Sequence, residues 1–204
     1  MGNFSGRWER VPNDDRSHYE NVTNQIVPNL SYNSFNRFHI ETSDIELILH
    51  KADQFRLEVF MLLPNELPLL HIQSRLNDSD MRIAIACDKH NIKAYVNIYL
   101  PFCDELTVKS AQGDIKLLDI SAGKVKITSL AGDVLAKVAN SISISIKTDS
   151  GNIDIVVPSK VYKLAAKSKD GDVIYEDIKS ISASEKKITC LSSCGDILIK
   201  SNRL

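Results

Sequence analysis

Acidic or amide side chains follow a glycine five times in the second half of this 204-residue chain. Carboxylate and amide oxygens suit calcium, so a stacked column of them could hold a divalent cation. The dedicated calcium-binding nonapeptide pattern is absent, however, and Gly-Asp is a common turn pair. We therefore predict structural corners without a metal. The five pairs are Gly113-Asp114, Gly132-Asp133, Gly151-Asn152, Gly171-Asp172 and Gly195-Asp196.

The histidines give no catalytic or metal-binding motif. None of them has the spacing of His-Glu-x-x-His or a related metal motif. Four of them could meet if the strands stacked suitably, but solvated or packed histidines are the simpler interpretation. The chain also lacks a glycine-rich phosphate loop and a Gly-x-Ser-x-Gly elbow, so we predict no catalytic residue, no cofactor and no enzymatic activity. The histidines are His18, His39, His50, His71 and His90.

The four cysteines do not form the paired Cys-x-x-Cys motifs of a metal site. Cys190 occupies an apolar position of the repeat, and Cys194 follows four residues later. We predict that Cys87, Cys103, Cys190 and Cys194 are free thiols in a reducing compartment.

Lysines recur at one position of the repeat. Lys109, Lys147 and Lys167 each precede a glycine by four residues, and Thr128 takes that place in one copy. The row is either a solvated face or a surface that meets an anionic glycan or envelope polymer. Sugar-stacking aromatics do not form a similar row, since Tyr95, Tyr99, Tyr162 and Tyr175 are scattered.

Charge and hydropathy narrow the partners and the location. Lysine plus arginine number 25 and aspartate plus glutamate 26, a net charge of −1 that predicts neither nucleic acid nor an acidic membrane as partner. No apolar run approaches the roughly 20 residues that span a bilayer. Residues 1–16 are polar and lack an apolar signal core. We therefore expect a cytoplasmic protein by default, with envelope association left open.

The Gly-Asp pairs belong to a longer phrase: serine or threonine, two free positions, glycine, aspartate or asparagine, then isoleucine or valine. Its glycines lie 19, 19, 20 and 24 residues apart. A fixed period near this length is typical of a fold that grows by stacking one unit on the next. The copies are Ser110-Ala111-Gln112-Gly113-Asp114-Ile115, Ser129-Leu130-Ala131-Gly132-Asp133-Val134, Thr148-Asp149-Ser150-Gly151-Asn152-Ile153, Ser168-Lys169-Asp170-Gly171-Asp172-Val173 and Ser192-Ser193-Cys194-Gly195-Asp196-Ile197.

Apolar residues flank every glycine at a spacing of two, which places each set on one face of a strand. They lie seven and five residues before the glycine, as in Val125 and Ile127, and two and four residues after it, as in Val134 and Ala136. Each repeat is therefore two short strands joined by a glycine corner. An all-β, single-stranded β-solenoid with rungs of about 20 residues fits this pattern. An antiparallel meander or sandwich, with Gly-Asp hairpin turns, fits the side-chain parity too. We favour the solenoid because every copy keeps the same residue types, which stacking turns into ladders.

Three regions can be distinguished. Residues 1–34 are polar and predict a flexible tail, in which Trp8 could dock onto an end of the array. Residues 35–103 alternate as strands, beginning with Phe38-His39-Ile40, and should continue into the solenoid. Residues 104–204 hold the five copies, and Lys200-Ser201-Asn202-Arg203-Leu204 would form a short polar cap.

The repeated phrase resembles the putative-adhesin family of β-strand repeat proteins, known as domain of unknown function 4097. The resemblance extends from about Phe35 to Ile199 and includes Ile98-Tyr99-Leu100-Pro101 before the first copy and Val156-Val157-Pro158 within the array. It implies right-handed β-helices, frequent in bacterial cell-envelope proteins and without established enzymatic activity.

Three functions are compatible with these features. We expect a non-catalytic, adhesin-like scaffold whose long flat face binds a protein or an envelope polymer, with a location at the cell envelope left open. The alternative is a self-assembling structural element in which rungs continue from one molecule to the next, because the ends of a solenoid are open sheet edges. A polysaccharide-acting enzyme has fold analogy as its sole basis, since no cleft lined by catalytic residues can be located.

Overall fold

The computed structural model describes residues 18–21, 36–62, 70–88 and 94–202. These residues form strands and no α-helix, so the predicted all-β class is confirmed. The strands are β1 (Glu20–Asn21), β2 (Arg37–Asp44), β3 (Glu46–Lys51), β4 (Arg56–Met61), β5 (Leu70–Asn77), β6 (Asp80–Cys87), β7 (Ala94–Leu100), β8 (Cys103–Gln112), β9 (Ile115–Ala131), β10 (Val134–Asn140), β11 (Ser143–Ser150), β12 (Ile153–Val157), β13 (Val161–Asp170), β14 (Val173–Glu176), β15 (Lys179–Ser180), β16 (Lys187–Cys194) and β17 (Ile197–Ser201).

The strands lie in two walls joined by corners, and together they make one open sheet. The front sheet has the order β5–β6–β2–β8–β9–β11–β16–β13. The back sheet has the order β1–β4–β7–β3–β9–β10–β12–β17–β14. Strand β9 belongs to both because its first half lies in the back sheet and its second half in the front sheet.

Repeats pair through parallel strands, with equivalent residues opposite one another. Val134 lies between Ile115 and Ile153, and Ile153 pairs in turn with Ile197. Each unit of a front strand, a corner and a back strand is called a rung and is named after its glycine. Because equivalent residues are neighbours, every repeat position forms a ladder along the stack.

Stacking order departs from sequence order at the C-terminal end. Ile188 pairs with both Ile144 and Leu164, so the Gly195 rung lies between the Gly151 and Gly171 rungs. The expectation that the repeats stack in chain order is therefore wrong for the last copy. The spacing of 24 residues before the last glycine makes this order possible. The additional residues pass around the Gly171 rung, and the next strand then pairs between the Gly151 and Gly171 rungs. The predicted cap is wrong for the same reason, because Ser201 pairs with Val157 inside the back sheet.

The N-terminal end has the same type of inversion. Phe38 on β2 lies between Met81 and Leu106, so the first rung of the chain is inserted between two later ones. Its corner contains Ile45 where the other rungs have glycine, and Ile45 is fully buried. Because its corner has no glycine, this sixth rung was not recognised in the repeat pattern.

Aliphatic side chains from both sheets fill the space between the walls. The inward residues of the Gly113, Gly132, Gly151 and Gly195 rungs are all buried, for example Ile127, Ile146 and Ile199. The Gly171 rung differs, since Val173 is partly buried and Tyr175 is 44% exposed. The Gly171 rung is exposed because it lies at the end of the stack. In sequence order, the Gly195 rung would lie there.

The two ends of the stack are covered differently. At the N-terminal end, β4 and β5 run antiparallel to their neighbours, and β1 pairs with β4. At the other end, the open edge of β13 meets β15, and Ser180 Oγ accepts a hydrogen bond from the Leu164 N–H at 3.3 Å. The Tyr175 hydroxyl lies against the backbone N–H of Ala166 on the same edge. Short strands and side-chain caps of this kind blunt a sheet edge.

Part of the predicted N-terminal tail is structured. Glu20–Asn21 pair with β4, and the Tyr19 ring lies 5.2 Å from that of Tyr95. The interpretation of Trp8 as a docking residue lies outside the described residues.

Candidate functional site

The glycine corners stack so closely that a side chain has no room at them. Gly132 has φ of +107°, and a Cβ there would lie 2.5 Å from the Gly113 carbonyl oxygen. The same steric conflict links Gly151 with Gly132, Gly195 with Gly151, and Gly171 with Gly195. Glycine is required here because it alone combines positive φ with this approach of backbones.

The acidic and amide residues after the glycines form a hydrogen-bonded ladder. In the first four residues of the stack, the side-chain oxygen accepts the backbone N–H of the counterpart in the next rung. The bonds run from Asp133 N to Asp114 Oδ1 at 2.9 Å, Asn152 N to Asp133 Oδ1 at 2.7 Å, Asp196 N to Asn152 Oδ1 at 2.9 Å and Asp172 N to Asp196 Oδ1 at 3.0 Å. Asp196 therefore lies between Asn152 and Asp172, an order that the sequence did not predict.

Burial affects one acid of this ladder. Desolvation raises the pKa of Asp114, and the hydrogen bond from the Asp133 backbone partly opposes it. Within the described ranges, no group of three or more His, Cys, Asp or Glu side chains has the geometry to hold a metal ion.

Hydroxyl groups before the corners bond to corner carbonyls. Ser129 Oγ donates to the Ala131 carbonyl at 2.9 Å, within its own rung. Ser168 Oγ instead donates to the Gly195 carbonyl of the adjacent rung at 2.7 Å. These buried or half-buried hydroxyls explain why serine or threonine opens each phrase, since an unpaired carbonyl at the corner would be costly.

The described histidines lie apart from one another. His39 bonds to Glu41 at 2.9 Å on the front sheet, and His71 bonds to Asp88 at 2.9 Å on the end strand. His50 stacks on Tyr99 on the back sheet, with ring centroids 4.7 Å apart. His90 lies outside the described residues.

The front sheet carries a lysine-rich surface that the sequence revealed only in part. It comprises the outward positions of β9, β11, β16 and β13, and we call it the lysine face. Its three rows run along the stack: Lys124, Ser143, Lys187 and Lys163; then Lys126, Ser145, Thr189 and Ala165; then Thr128, Lys147, Leu191 and Lys167. All six lysines are exposed, and no acidic residue occupies any of the twelve positions.

Ion pairing separates the lysine face from the rest of the front sheet. Towards the N-terminal end, Lys109 pairs with Glu41 at 2.8 Å and Arg37 with Asp80 at 3.6 Å. The Lys109 ammonium and His39 lower the pKa of Glu41 to about 2. On the lysine face, Lys147 has Asp149 at 3.8 Å, whereas the other five lysines have no ion pair with any residue that the structure describes. The face is therefore a positive surface on which one lysine of six has an ion pair among the described residues, on a chain of net charge −1.

The insertion of the last repeat changes one row of this surface. It leaves Leu191 between Lys147 and Lys167. The predicted row of Lys109, Lys147 and Lys167 is thus interrupted by Leu191 as well as by Thr128.

Comparison with known proteins places this architecture in a family. The model of the Toastrack DUF4097 family matches residues 37–202. The chain belongs to the Toastrack DUF4097 family. The expected family resemblance is thereby confirmed, and the match includes both inverted ends of the Toastrack stack as well as its corners.

Solved structures that are similar to this chain have low sequence identity to it. A putative cell adhesion protein from Clostridium sporogenes has 15% identity and a TM-score of 0.63, over 85% of this chain and 96% of its own. A putative adhesin from Bacteroides fragilis has 16% identity and a TM-score of 0.37, over 85% of this chain and 95% of its own. No curated protein matches the chain. The described residues include no helix of the length and hydropathy needed to cross a membrane.

The outward face of the Toastrack back sheet is more apolar and contains one buried acid. Asp154 is 1% exposed between Leu135 and Leu198 on the neighbouring strands. Its carboxylate lies 3.6 Å from Lys200 Nζ, too far for a hydrogen bond, and both of its oxygens lack a hydrogen-bond donor. Desolvation raises the pKa of Asp154, with Lys200 and Lys137 opposing and Glu176 reinforcing the shift.

The four cysteines of the Toastrack chain are free thiols. Cys103 and Cys190 are buried, and this burial raises the pKa of each thiol to about 12. Cys194 is exposed at a corner, with Sγ 3.8 Å from Asp170 Oδ2.

Proposed function

We propose that the chain is a non-catalytic, adhesin-like scaffold that binds a macromolecular partner at the cell envelope through the outward face of its front sheet. The lysine face carries this proposal. It is a broad surface of exposed side chains whose spacing is set by parallel strand register. A rigid, preorganised surface loses little conformational entropy on binding, which favours recognition of an extended partner.

We also propose the finer architecture and the role of the corners. The parallel ladders support a single-stranded, right-handed β-solenoid with rungs of about 20 residues, in which residues 35–103 continue into the five-copy region 104–204. In this proposal, the ten Gly and Asp or Asn corner residues are structural, since their hydrogen bonds go to neighbouring rungs.

The similar fold of the Clostridium sporogenes protein, described as a putative cell adhesion protein, supports an adhesive role. The face explains how such a role could be performed, because adhesion requires an accessible surface and no reacting groups. The partner is a protein or a polymer of the envelope.

Binding to isolated cell envelopes tests the proposal. The purified chain should cosediment saturably with envelope fragments of its source organism, and unlabelled protein should displace it. A protein that does not sediment with envelopes, or that cleaves a glycan panel and loses this activity on a single Asp substitution, contradicts the proposed function.

A further inference from the structure

The lysine face has the relief of a shallow trough. On β11, β16 and β13 its middle row holds the short side chains of Ser145, Thr189 and Ala165, whereas Lys126 occupies this row on β9. On one side lie Lys187 and Lys163. On the other side lie Lys147 and Lys167. The two outer rows are four residues apart along the strands, about 13 Å, and neighbouring strands are about 4.8 Å apart.

We propose that this trough binds a linear anionic polysaccharide, whose chain runs along the stack between the two lysine rows. The inference rests on the proposed function, because it names the partner of the same face. Ammonium groups on both flanks neutralise carboxylates of the polymer, as expected from charge complementarity between surfaces. The hydroxyls of Ser143, Ser145 and Thr189 on and beside the floor pair with sugar hydroxyls.

The composition of the face favours a polysaccharide over a nucleic acid. Single strands are held by aromatic side chains on which bases stack, and none of the twelve positions is aromatic. Arginine, which binds phosphate and guanine through two parallel hydrogen bonds, is also absent from them. Lysine provides point charges without this geometry, which suits carboxylates spaced along a chain.

The relief also favours a polymer over a bilayer. Lys187 and Lys163 lie on one side of the middle row and Lys147 and Lys167 on the other, whereas a membrane surface is flat. Leu191, 44% exposed, is the one large apolar side chain of the face. A helix or sheet that lies in a membrane interface presents a larger apolar area than this.

The ends of the trough define the length of the site. On the N-terminal side, Glu105 follows Lys124 in the first row and would repel a polyanion. On the other side, β13 is the last full strand of the front sheet. The trough therefore spans β11, β16 and β13, because Lys126 of β9 occupies the middle row beside Ser145.

Binding of polygalacturonate to the full chain tests this inference. Affinity is measured by isothermal titration at low and high salt, with uncharged dextran, single-stranded DNA and vesicles of phosphatidylcholine and phosphatidylglycerol as competing probes. We expect polygalacturonate to bind most tightly and its affinity to fall as salt screens the lysines. Dextran binding as tight as that of polygalacturonate, or tighter binding of DNA or vesicles, overturns the inference.

Three variants locate the site. Lys187→Glu should lower the affinity for polygalacturonate about fivefold or more, since a reversed charge replaces attraction with repulsion. Lys51→Glu, the same charge change on the exposed end of a back-sheet strand, should change it less than about twofold. Ala165→Phe keeps the charge but fills the trough, and it should also weaken binding. Equal effects of Lys187→Glu and Lys51→Glu, or unchanged polygalacturonate binding by Ala165→Phe, would contradict binding in the trough.

Binding to envelopes distinguishes failure of the polysaccharide inference from failure of the proposed function. If wild type sediments with envelopes but Lys187→Glu does so equally well and polygalacturonate does not bind, the polysaccharide inference fails and the proposed function survives. If envelopes are not bound at all, the proposed function itself fails.

Discussion

Asp133 Oδ1 accepts the backbone N–H of Asn152 at 2.7 Å, across the boundary between two rungs. The same bond joins every other pair of adjacent corners, so a residue pair that suggested cation binding serves as a ladder between backbones. The ladder holds the rungs in register, and this register sets the positions of the lysines on the front sheet.

Removing the acceptor should weaken this ladder. We expect Asp133→Ala to lower the free energy of unfolding by about 1–3 kcal/mol, because the Asn152 N–H loses its partner. Asp133→Asn keeps an acceptor oxygen, as Asn152 does in the wild type, and should cost less. Urea unfolding of both variants measures the difference, and equal losses would argue against the ladder.

Gly132→Val should be more damaging. Its Cβ would collide with the Gly113 carbonyl and would also require positive φ, at a cost of about 3 kcal/mol or more. Thr128→Val, on the outward side of the same rung, is the control and should stay within about 1 kcal/mol. An unchanged thermal melting curve for Gly132→Val would show that the corners are not tightly stacked.

Asp154 should make stability fall with rising pH. Its folded-state pKa is raised above the ordinary 3.8, so its favourable contribution is complete below that value and is lost as pH rises through the raised pKa. The stability of wild type relative to Asp154→Asn should therefore decrease from acid to neutral pH. Urea unfolding of both proteins at a series of pH values measures this difference, and a constant difference contradicts it.

The capped edge of β13 should keep the protein from associating through this end. Tyr175→Phe combined with Ser180→Ala removes the two hydroxyls beside the Ala166 and Leu164 N–H groups. We expect this variant to associate with rising concentration and the wild type to stay monomeric. Tyr99→Phe removes a hydroxyl that bonds to Glu58 at the other end and is the control. Sedimentation velocity gives the result, and a monomeric double variant shows that the caps are not needed.

The sequence predicted the elements better than their order. Period-two apolar positions predicted the all-β class and the inward residues, because burial of one strand face is a local property. The corner at Ile45 was missed because it has no glycine. Stacking order depends on where the chain returns, and the longer spacing before Gly195 was its one local sign. The lysine face also includes the positions six and eight residues before the glycines, so only Lys147 and Lys167 of its six lysines were named from the sequence.

The last repeat lies between the third and the fourth in the stack, and this order decides which residues of the lysine face are neighbours. Ser150 pairs with Cys194, so Ser150→Cys should form a disulfide with Cys194 under mild oxidation. Ala131 lies one rung further from Cys194, beyond disulfide reach, so Ala131→Cys is the control. Mass spectrometry of the non-reduced digest should find the 150–194 linkage and no 131–194 linkage. Absence of the 150–194 linkage in folded, oxidised protein would contradict the inserted order.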